Sequence, residues 1–483
     1  LIICPAPLVE MWERYNDVYD LGAVVLSMGY LREQTDRSGT RVNLLMADEL
    51  YRDRDLVLID ESHNFRYSDT QRYQLVQEYV STGRHCCFLT ATPRNKTAWD
   101  VYHQLKLFHP NDRTDLPVDP PDLRQYFRKV EHGEKSLPEL LSHVLVRRTR
   151  SHILRWYGFD SETHQPVDPT RFDEYRSGRR QAYVMVAGRH QFFPRRELDT
   201  IEYSIEDTYS GLYQELRGYL GKARRGRPKE PLADELTYAR YGLWHYVSKS
   251  KQKREPYASL QRAGANLCGL MRVLLFKRFE SSVHAFRETT ARLRRMHELF
   301  LEALGAGIVA AGEDAQTLLY ESDCDEQRDL LDALQEVTGR YDIADFDADR
   351  LRRHVEHDIR LLGRIHDLVA PIGPEMDDKL QTLRARLGEA PLAGGKVLIF
   401  TQFADTARYL HDNLNPGNAL PEVEVICSGD KSKAKVVGRF APKANPEYQM
   451  PAGETEIQTL IATDVLAEGL NLHQSNGAVA GQV

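Results

Sequence analysis

The first 155 residues contain four short apolar runs, and an amphipathic stretch follows each of them. The runs are LIIC, AVVL, LVLI and CCFL, and each ends near a small or polar residue. Near-continuous apolar strands separated by helical segments are what a parallel sheet covered on both faces requires. This pattern predicts an α/β fold with a parallel sheet in the first part of the chain.

The pattern changes twice further along the chain. After about residue 156 a basic, loop-rich stretch precedes a segment, Leu260 to Phe286, in which apolar residues recur mostly every three or four positions. That spacing predicts one long amphipathic helix. Buried-strand runs then return as KVLIF, VEVIC and IQTLIAT, which begin at Lys396, Val423 and Ile457. We therefore predict a first α/β lobe (1–155), a basic loop region with a helical insertion (156–370) and a second α/β lobe (371–483).

Composition excludes some classes of protein. The chain is 28% charged and 41% hydrophobic, and it has no run of about 18 apolar residues that could cross a membrane. Its N-terminal stretch lacks the basic region of a signal peptide. The six cysteines form no CxxC pair, which is typical of buried free thiols in a reducing compartment. We expect a cytoplasmic protein that makes no membrane contact.

The net charge of −7 is distributed unevenly. Residues 313–350 hold 13 acidic and 3 basic residues, so the rest of the chain is slightly basic. This acidic zone is typical of solvated helix faces, and an autoinhibitory mimic of nucleic acid is the alternative. Three basic runs, RHQFFPRR, KARRGRPK and KSKQKR, permit contact with nucleic acid, although each is also typical of a solvated loop.

The strongest chemical signal is LVLIDESHNF, in which four apolar residues precede the adjacent carboxylates Asp60 and Glu61. Ligands of open α/β sheets bind at the carboxyl ends of strands, which is where this pair would lie. A second run, CCFLTATPRN, ends in Thr90-Ala91-Thr92-Pro93. A strand ending in Asp-Glu could alone be a surface pair, but the two runs together indicate a site. We predict that they form neighbouring parallel strands.

DESH followed by LTATP resembles motifs II and III of superfamily 2 helicases, in the Swi/Snf-type branch of ATP-driven nucleic-acid translocases. Other segments resemble further motifs in the same order: LIICPAPLVEMW motif Ia, VLVRRTR the Arg-Arg-Thr signature that closes the first lobe, KVLIFTQFADTARYL motif IV and IATDVLAEGLNL motif V. The resemblance covers about half of the chain and is nearest to bacterial helicase-like proteins. It implies two RecA-like lobes that move on double-stranded DNA by hydrolysing ATP with Mg²⁺.

The resemblance also implies roles for single residues. NTP hydrolysis requires one carboxylate that holds Mg²⁺ and another that orients the attacking water. Asp60 resembles the Mg²⁺ ligand, Glu61 the base, and His63 a residue that couples the lobes; His63 could instead be an ordinary surface histidine. Nucleotide binding and coupling would involve Thr90, Thr92, Thr463, Asp464, Glu468 and Gly469. The two motif III threonines would look the same if they were only strand-end caps.

Two groups of arginines are candidates for nucleic-acid binding. Arg147 and Arg148 belong to the Arg-Arg-Thr signature. Arg224, Arg225 and Arg227 lie in a segment that resembles the core of an AT-hook, whose extended Arg-Gly-Arg fits the narrow minor groove. A disordered insertion loop is the alternative for that segment. We expect these three arginines to lie on an excursion outside any core.

Two expected features do not occur in the sequence. GxxxxGK[ST] is absent, and the nearest approach, GEKS, lies in a polar stretch without the strand-to-helix context. No motif VI with its arginines follows motif V within residues 1–483. Both lobes are therefore expected to be incomplete, and these residues alone to be inactive.

Three functions remain open at this stage. The first is a DNA translocase motor, and the second is a scaffold that keeps the lobes but binds no ATP. The third is an RNA-polymerase-associated recycling ATPase of the same branch. Repair, phage defence and transcription, with their respective protein partners, are equally compatible with the motifs.

Overall fold

The computed structural model describes the chain apart from residues 36–38, 95, 187, 194–197, 222–231, 312–338, 428–429, 431–432, 446–447, 464–477 and 483. The described chain forms two compact units, Leu1–Phe193 and Pro194–Val483. The helical region that follows residue 194 thus shares one unit with the last strands of the chain.

The first unit alternates short strands with helices. Its strands are β1 (Ile2–Cys4), β2 (Val25–Ser27), β3 (Glu33–Thr35), β4 (Arg41–Asn43), β5 (Leu56–Ile59), β6 (His85–Phe88), β7 (Gly158–Asp160), β8 (Ala182–Val186) and β9 (Arg189–Phe192). Its helices are α1 (Val9–Tyr19), α2 (Leu44–Ala47), α3 (Glu49–Arg52), α4 (Gln71–Val80), α5 (Trp99–Phe108), α6 (Leu123–Glu131), α7 (Leu137–Val144), α8 (Arg150–Tyr157) and α9 (Phe172–Arg176).

The four apolar runs of the first lobe form one sheet. Its strand order is β2-β1-β5-β6, and every described pair is parallel. Val57 and Ile59, on one face of β5, are fully buried, whereas on the other face Leu58 is half-buried and Leu56 is exposed. The sequence-based prediction of a parallel α/β sheet is confirmed for this unit.

The expectation that the cysteines are buried is wrong for Cys87. Cys4 is buried, but in β6 the residues alternate, with Cys86 half-buried and Cys87 exposed. The reason is position, because β6 is the last strand in the described order and only one of its faces packs on the core. An apolar run therefore did not guarantee burial on both faces.

A small antiparallel sheet completes the first unit. Its order is β7-β8-β9, with Tyr183 of β8 opposite both Phe159 and Phe192. Asp160, at the end of β7, is buried and accepts hydrogen bonds from Tyr175 and Arg180. Backbone hydrogen bonding from Thr163 leads the causes that hold the pKa of Asp160 below its usual value. The Asp160 carboxylate therefore connects β7 by hydrogen bonds to the turn at Thr163 and to Tyr175 and Arg180.

The second unit contains three long helices followed by a second sheet. Its helices are α10 (Ile205–Thr208), α11 (Tyr213–Leu220), α12 (Tyr257–Ser281), α13 (Val283–Gly305), α14 (Ala348–Val369), α15 (Asp378–Leu387), α16 (Ala404–Leu414) and α17 (Lys433–Phe440). Its strands are β10 (Ile308–Ala311), β11 (Gly339–Asp342), β12 (Lys396–Phe400), β13 (Val423–Ile426), β14 (Thr459–Ala462) and β15 (Ala478–Gln482).

The single long helix predicted over Leu260 to Phe286 is wrong in one respect. Ser282 has an extended backbone, so the periodic segment is divided between α12 and α13. The Ser282 side chain accepts a hydrogen bond from the Ala285 amide and so caps the start of α13. The apolar spacing continues across the break because both helices contribute to the same core.

The second sheet has the order β13-β14-β12-β15, and all described pairs are parallel. The three predicted strands are confirmed, with ends that differ by up to two residues. Strand β15 was not predicted from the sequence, since its small residues carry no strong strand signal. Two parallel α/β sheets confirm the predicted fold class.

Ion pairs connect α12 and α13 to α16, the helix that follows β12. Arg278 of α12 is fully buried and donates 2.7 Å to Asp405, at the start of α16. Arg292 of α13 donates 2.5 Å to the same carboxylate. Burial alone would raise the pKa of Asp405, but the two guanidinium groups outweigh it and hold that pKa below its usual value.

Among the described residues, no helix is long and apolar enough to span a membrane.

Candidate functional site

The site lies where two neighbouring strands of the first sheet end. Asp60 and Glu61 directly follow β5, and Thr90 follows β6 after one residue. Parallel pairing of these strands, with Ile59 opposite Phe88, brings the two ends to the same edge of the sheet. The strands are neighbours as the sequence predicts.

Asp60 is held by a residue that the sequence did not single out. The indole Nε1 of Trp12, on α1, donates a 2.8 Å hydrogen bond to Oδ2 of Asp60. The other carboxylate oxygen accepts from the Glu61 amide at 2.9 Å. Both bonds fix the direction of a half-buried carboxylate. The only signal for Trp12 was its place in the motif Ia-like segment.

Glu61 has a left-handed backbone, with φ at +49° and ψ at +49°. A non-glycine residue in this region costs of order 1–3 kcal/mol, so the surrounding contacts must maintain it. The amide of Ser62 donates to the Leu89 carbonyl at 2.9 Å, and the amide of Asn64 donates to the Glu61 carbonyl at 3.0 Å. Strain of this kind is concentrated at functional sites.

His63 joins the two strand ends. Its Nδ1 lies 3.1 Å from Oε2 of Glu61 and 3.2 Å from Oγ1 of Thr90. Because a carboxylate only accepts hydrogen bonds, the Glu61 contact requires the proton on Nδ1. The Glu61 and His63 side chains are 18% and 15% exposed, so the pair remains accessible from solvent. Trp12, Asp60, Glu61, His63 and Thr90 are called the strand-end cluster below.

Gln104 of α5 provides a second bridge beneath the cluster. Its side-chain oxygen accepts from the Ser62 hydroxyl at 3.0 Å, and its amide nitrogen donates to the Pro93 carbonyl at 2.7 Å. Both Ser62 and Gln104 are buried. Gln104 therefore adds a further connection between the turn after β5 and the turn after β6, although nothing in the sequence pattern indicated it.

The strand-end cluster is compatible with Mg²⁺ if one protein carboxylate binds the ion and other molecules supply the remaining ligands. Asp60 offers a partly exposed carboxylate whose orientation is fixed, which suits a hard cation. Within the described ranges no three or more His, Cys, Asp or Glu residues are grouped so that they could hold a metal. Any Mg²⁺ here would therefore depend on water and phosphate oxygens for most of its ligands, as Mg²⁺ commonly does at nucleotide sites.

The remaining predicted residues are placed as follows. Thr92 is exposed, and its amide donates to Oγ1 of Thr90 at 3.1 Å. Thr463 directly follows β14 and is fully buried, with its amide donating to the Ile426 carbonyl. Arg147 and Arg148 are exposed between α7 and α8. Six further residues lie outside the described part of the chain: Asp464, Glu468, Gly469, Arg224, Arg225 and Arg227.

A groove of about 490 Å³ in the first unit lies apart from this cluster. Its lining includes Trp99, Tyr102, Lys106 and Arg124, and no member of the strand-end cluster. Lys106 and Tyr102 both donate hydrogen bonds to Asp112, so these two polar groups of the lining already have a protein partner. The groove therefore adds nothing to the chemistry of the strand ends.

The chain is similar in sequence to a known helicase. No family model matches the chain. The chain is 27% identical over 190 residues to a Bacillus subtilis (strain 168) protein described as the uncharacterized ATP-dependent helicase YqhH. That match covers 36% of this chain and 33% of the relative, so the similarity spans about a third of each protein.

Two solved structures are also similar. They are the Hef helicase domain of Pyrococcus furiosus, 15% identical with a TM-score of 0.26, and the SWI2/SNF2 ATPase core of Sulfolobus solfataricus in complex with double-stranded DNA, 11% identical with a TM-score of 0.24. They cover 89% and 100% of this chain, which in turn spans 65% and 76% of them. The sequence similarity to YqhH confirms the resemblance to ATP-dependent helicases.

Proposed function

We propose that this chain is part of an ATP-dependent motor that moves on double-stranded DNA, in the Swi/Snf-type branch of superfamily 2. The observation that carries the proposal is the strand-end cluster, in which Asp60, Glu61 and His63 meet Thr90 at one sheet edge. The similarity to an ATP-dependent helicase supports it. The predicted lobes 1–155 and 371–483, the insertion between them and a cytoplasmic location are parts of the same proposal.

Three residues of the strand-end cluster would have separate roles in ATP hydrolysis. Asp60, oriented by Trp12, would hold Mg²⁺, which neutralises the developing charge on the phosphates. Glu61 would accept a proton from the attacking water, since its carboxylate is partly exposed and its position is fixed by the turn. His63 contacts both Glu61 and Thr90. A movement of the turn after β6 would therefore be transmitted through His63 to Glu61, the proposed base. That contact is a physical route for coupling DNA binding to hydrolysis.

ATP hydrolysis would also require a phosphate-binding loop and the arginines of a motif VI, and residues 1–483 contain neither motif. No GxxxxGK[ST] occurs in the sequence, and a loop of that kind supplies the amides and the lysine that hold the β- and γ-phosphates. Asp60 and Glu61 cannot replace a cation, because both are acceptors. The same absence favours the second candidate function, a DNA-binding scaffold that hydrolyses no ATP.

The decisive experiment compares Glu61→Gln with wild type in the full natural chain. The amide keeps the shape of the side chain but cannot accept the proton, so we expect DNA-stimulated ATP hydrolysis to fall at least about 100-fold. Affinity for a blunt DNA duplex should remain unchanged. Glu10→Gln, at an exposed position of α1, is the matched control and should hydrolyse ATP normally.

Two outcomes would reject the motor. Full hydrolysis by Glu61→Gln would mean that the active site lies elsewhere. Absence of hydrolysis in the wild-type full chain, with duplex binding intact, would instead identify the scaffold. Residues 1–483 alone should bind DNA without measurable ATP turnover, and robust turnover by them would contradict the need for an outside phosphate loop.

A further inference from the structure

One surface of the first unit is distinct from the strand-end cluster. The antiparallel sheet β7-β8-β9 carries on one face a group of rings and a thioether. We call this the ring face, and its members are Phe159, His164, Tyr183, Met185, His190 and Phe192. Cross-strand pairing places Tyr183 opposite Phe192 and Met185 opposite His190, which puts all four side chains on the same side.

The rings form an ordered stack around Tyr183. His190 lies parallel to it with the ring centroids 3.9 Å apart, and Phe159 stacks at 5.8 Å. His164 contacts both Tyr183 and His190 at 6.0 Å, and its Nδ1 lies 3.1 Å from the tyrosine hydroxyl. Tyr183 is therefore buried by its neighbours and keeps their planes in place.

The outer members of the stack are open to solvent. Phe192 is 43% exposed and Met185 46%, and His164 and His190 are also exposed. Exposed rings grouped on a rigid sheet are unusual on a protein surface without a partner. Their flat outer surfaces match the faces of nucleic-acid bases, which stack on aromatic side chains.

The surrounding charge matches a polyanion. Residues 147–193 contain nine arginines, no lysine and five carboxylates, a net charge of +4. Two of the carboxylates, Asp160 and Glu174, already pair with Arg180 and Arg171 respectively. Arg176 and Arg179 are exposed. A planar stacking surface within a basic region is the combination that single-stranded nucleic acid recognises.

We propose that the ring face binds the bases of an unpaired nucleic-acid strand, with His190 and Phe192 as the stacking side chains. Bases within a duplex already stack on each other, so this surface selects strands whose bases are free. It is independent of the ATP site, because it lies on a different sheet of the unit. A motor with such a surface would contact an unpaired segment in addition to the duplex that it follows.

The test measures fluorescence anisotropy of labelled oligo(dT) and oligo(U), each about 20 nucleotides long, without ATP. Phe192→Ala and His190→Ala should each weaken binding about tenfold for at least one of the two strands, the size expected for one lost stack. Comparing the two strands shows whether DNA or RNA is the ligand. Phe192→Leu, which keeps an apolar side chain but loses the ring, should behave like Phe192→Ala.

Three controls separate stacking from charge and from misfolding. An abasic strand and a blunt duplex should bind the ring-face variants and wild type equally. Val186→Ala changes an exposed residue on the opposite face of β8 and should leave affinity unchanged. The slope of log affinity against log salt should also stay constant, since no phosphate contact is removed.

The proposal is overturned by three results. They are an equal loss with the abasic strand, an equal loss in Val186→Ala, or no loss with either single strand. The last result would leave the ring face as a protein contact. Since no ATP is present, failure of the proposed motor would not change any of these readings.

Discussion

Aspartates of the two units differ in what surrounds them, although their chemistry is the same. Asp60 is half-buried and accepts two hydrogen bonds, from the Trp12 indole and from the amide of the next residue. Asp358 of α14 is 1% exposed and accepts three hydrogen bonds from the segment Thr237 to Ala239. Burial, opposed by those bonds, raises the pKa of Asp358.

The difference separates the ligand-binding role proposed for Asp60 from the packing role of Asp358. An ionised carboxylate has about four acceptor positions, and the contacts described for Asp60 use two of them. Those contacts orient it toward accessible space. Asp358 is instead enclosed by donors from another segment of its own unit, and Asp405 is held by two guanidinium groups. We therefore expect substitutions in the second unit to change stability, and substitutions around Asp60 to change activity.

The largest effect should come from Arg278→Met. Removing the guanidinium leaves Asp405 with Arg292 as its described ionic partner, and breaking a buried pair typically costs about 3–5 kcal/mol. Urea unfolding and hydrogen exchange in α12 and α16 measure the loss. Arg294→Met, which removes an exposed pair with Glu298, should change stability by less than about 0.5 kcal/mol. Equal losses in the two variants would contradict the packing role.

Asp358→Ala should have the next largest effect, about 3 kcal/mol in the free energy of unfolding. The change removes the acceptor of the Thr237 amide and hydroxyl and of the Ala239 amide, which are then unsatisfied. Asp358→Asn is the sharper variant, because it keeps one oxygen and removes the buried charge. It should lose about 1 kcal/mol, and a loss equal to that of alanine would show that the charge itself matters.

His297 should make the second unit sensitive to acid. It is buried in α13, and burial lowers its pKa from 6.5 to about 3. The unfolded chain therefore binds the proton first, so stability is complete above pH 6.5 and declines as the pH falls from there toward 3. Between pH 7 and pH 5 the contribution is about 2 kcal/mol. His297→Gln should flatten this part of the pH profile of unfolding, and an unchanged profile would assign the acid sensitivity to other groups.

The smallest effect should come from Trp12→Phe. An aromatic ring remains, but Asp60 loses the hydrogen bond from the indole, and a bond to a charged group is worth about 1.5–3 kcal/mol. We expect DNA-stimulated ATP hydrolysis by the full natural chain to fall about tenfold, with the urea midpoint unchanged and a higher Mg²⁺ requirement. Trp99→Phe, in the separate groove, is the control. A lower midpoint without loss of hydrolysis would assign Trp12 to packing.

The sequence by itself determined the fold class and the residues that end the two neighbouring strands of the candidate site. Apolar runs with short spacing specify buried parallel strands, and the residues that end LVLI and CCFL are local in the chain. Asp60, Glu61, His63 and Thr90 could therefore be selected before any contact was known. The order of their strands also followed, since consecutive α/β units tend to pair side by side.

Tertiary structure decided everything that depends on separate segments of the chain. Trp12 lies 48 residues from Asp60 and Gln104 lies 42 residues from Ser62, so neither partnership has a local pattern. The break at Ser282 left the helical spacing intact, because both helices pack on one core. The ring face needed three strands to meet before its side chains shared a surface. Hydrophobic periodicity indicates which face of one segment is buried. A contact between residues that are far apart in the sequence is determined only when their segments pack together.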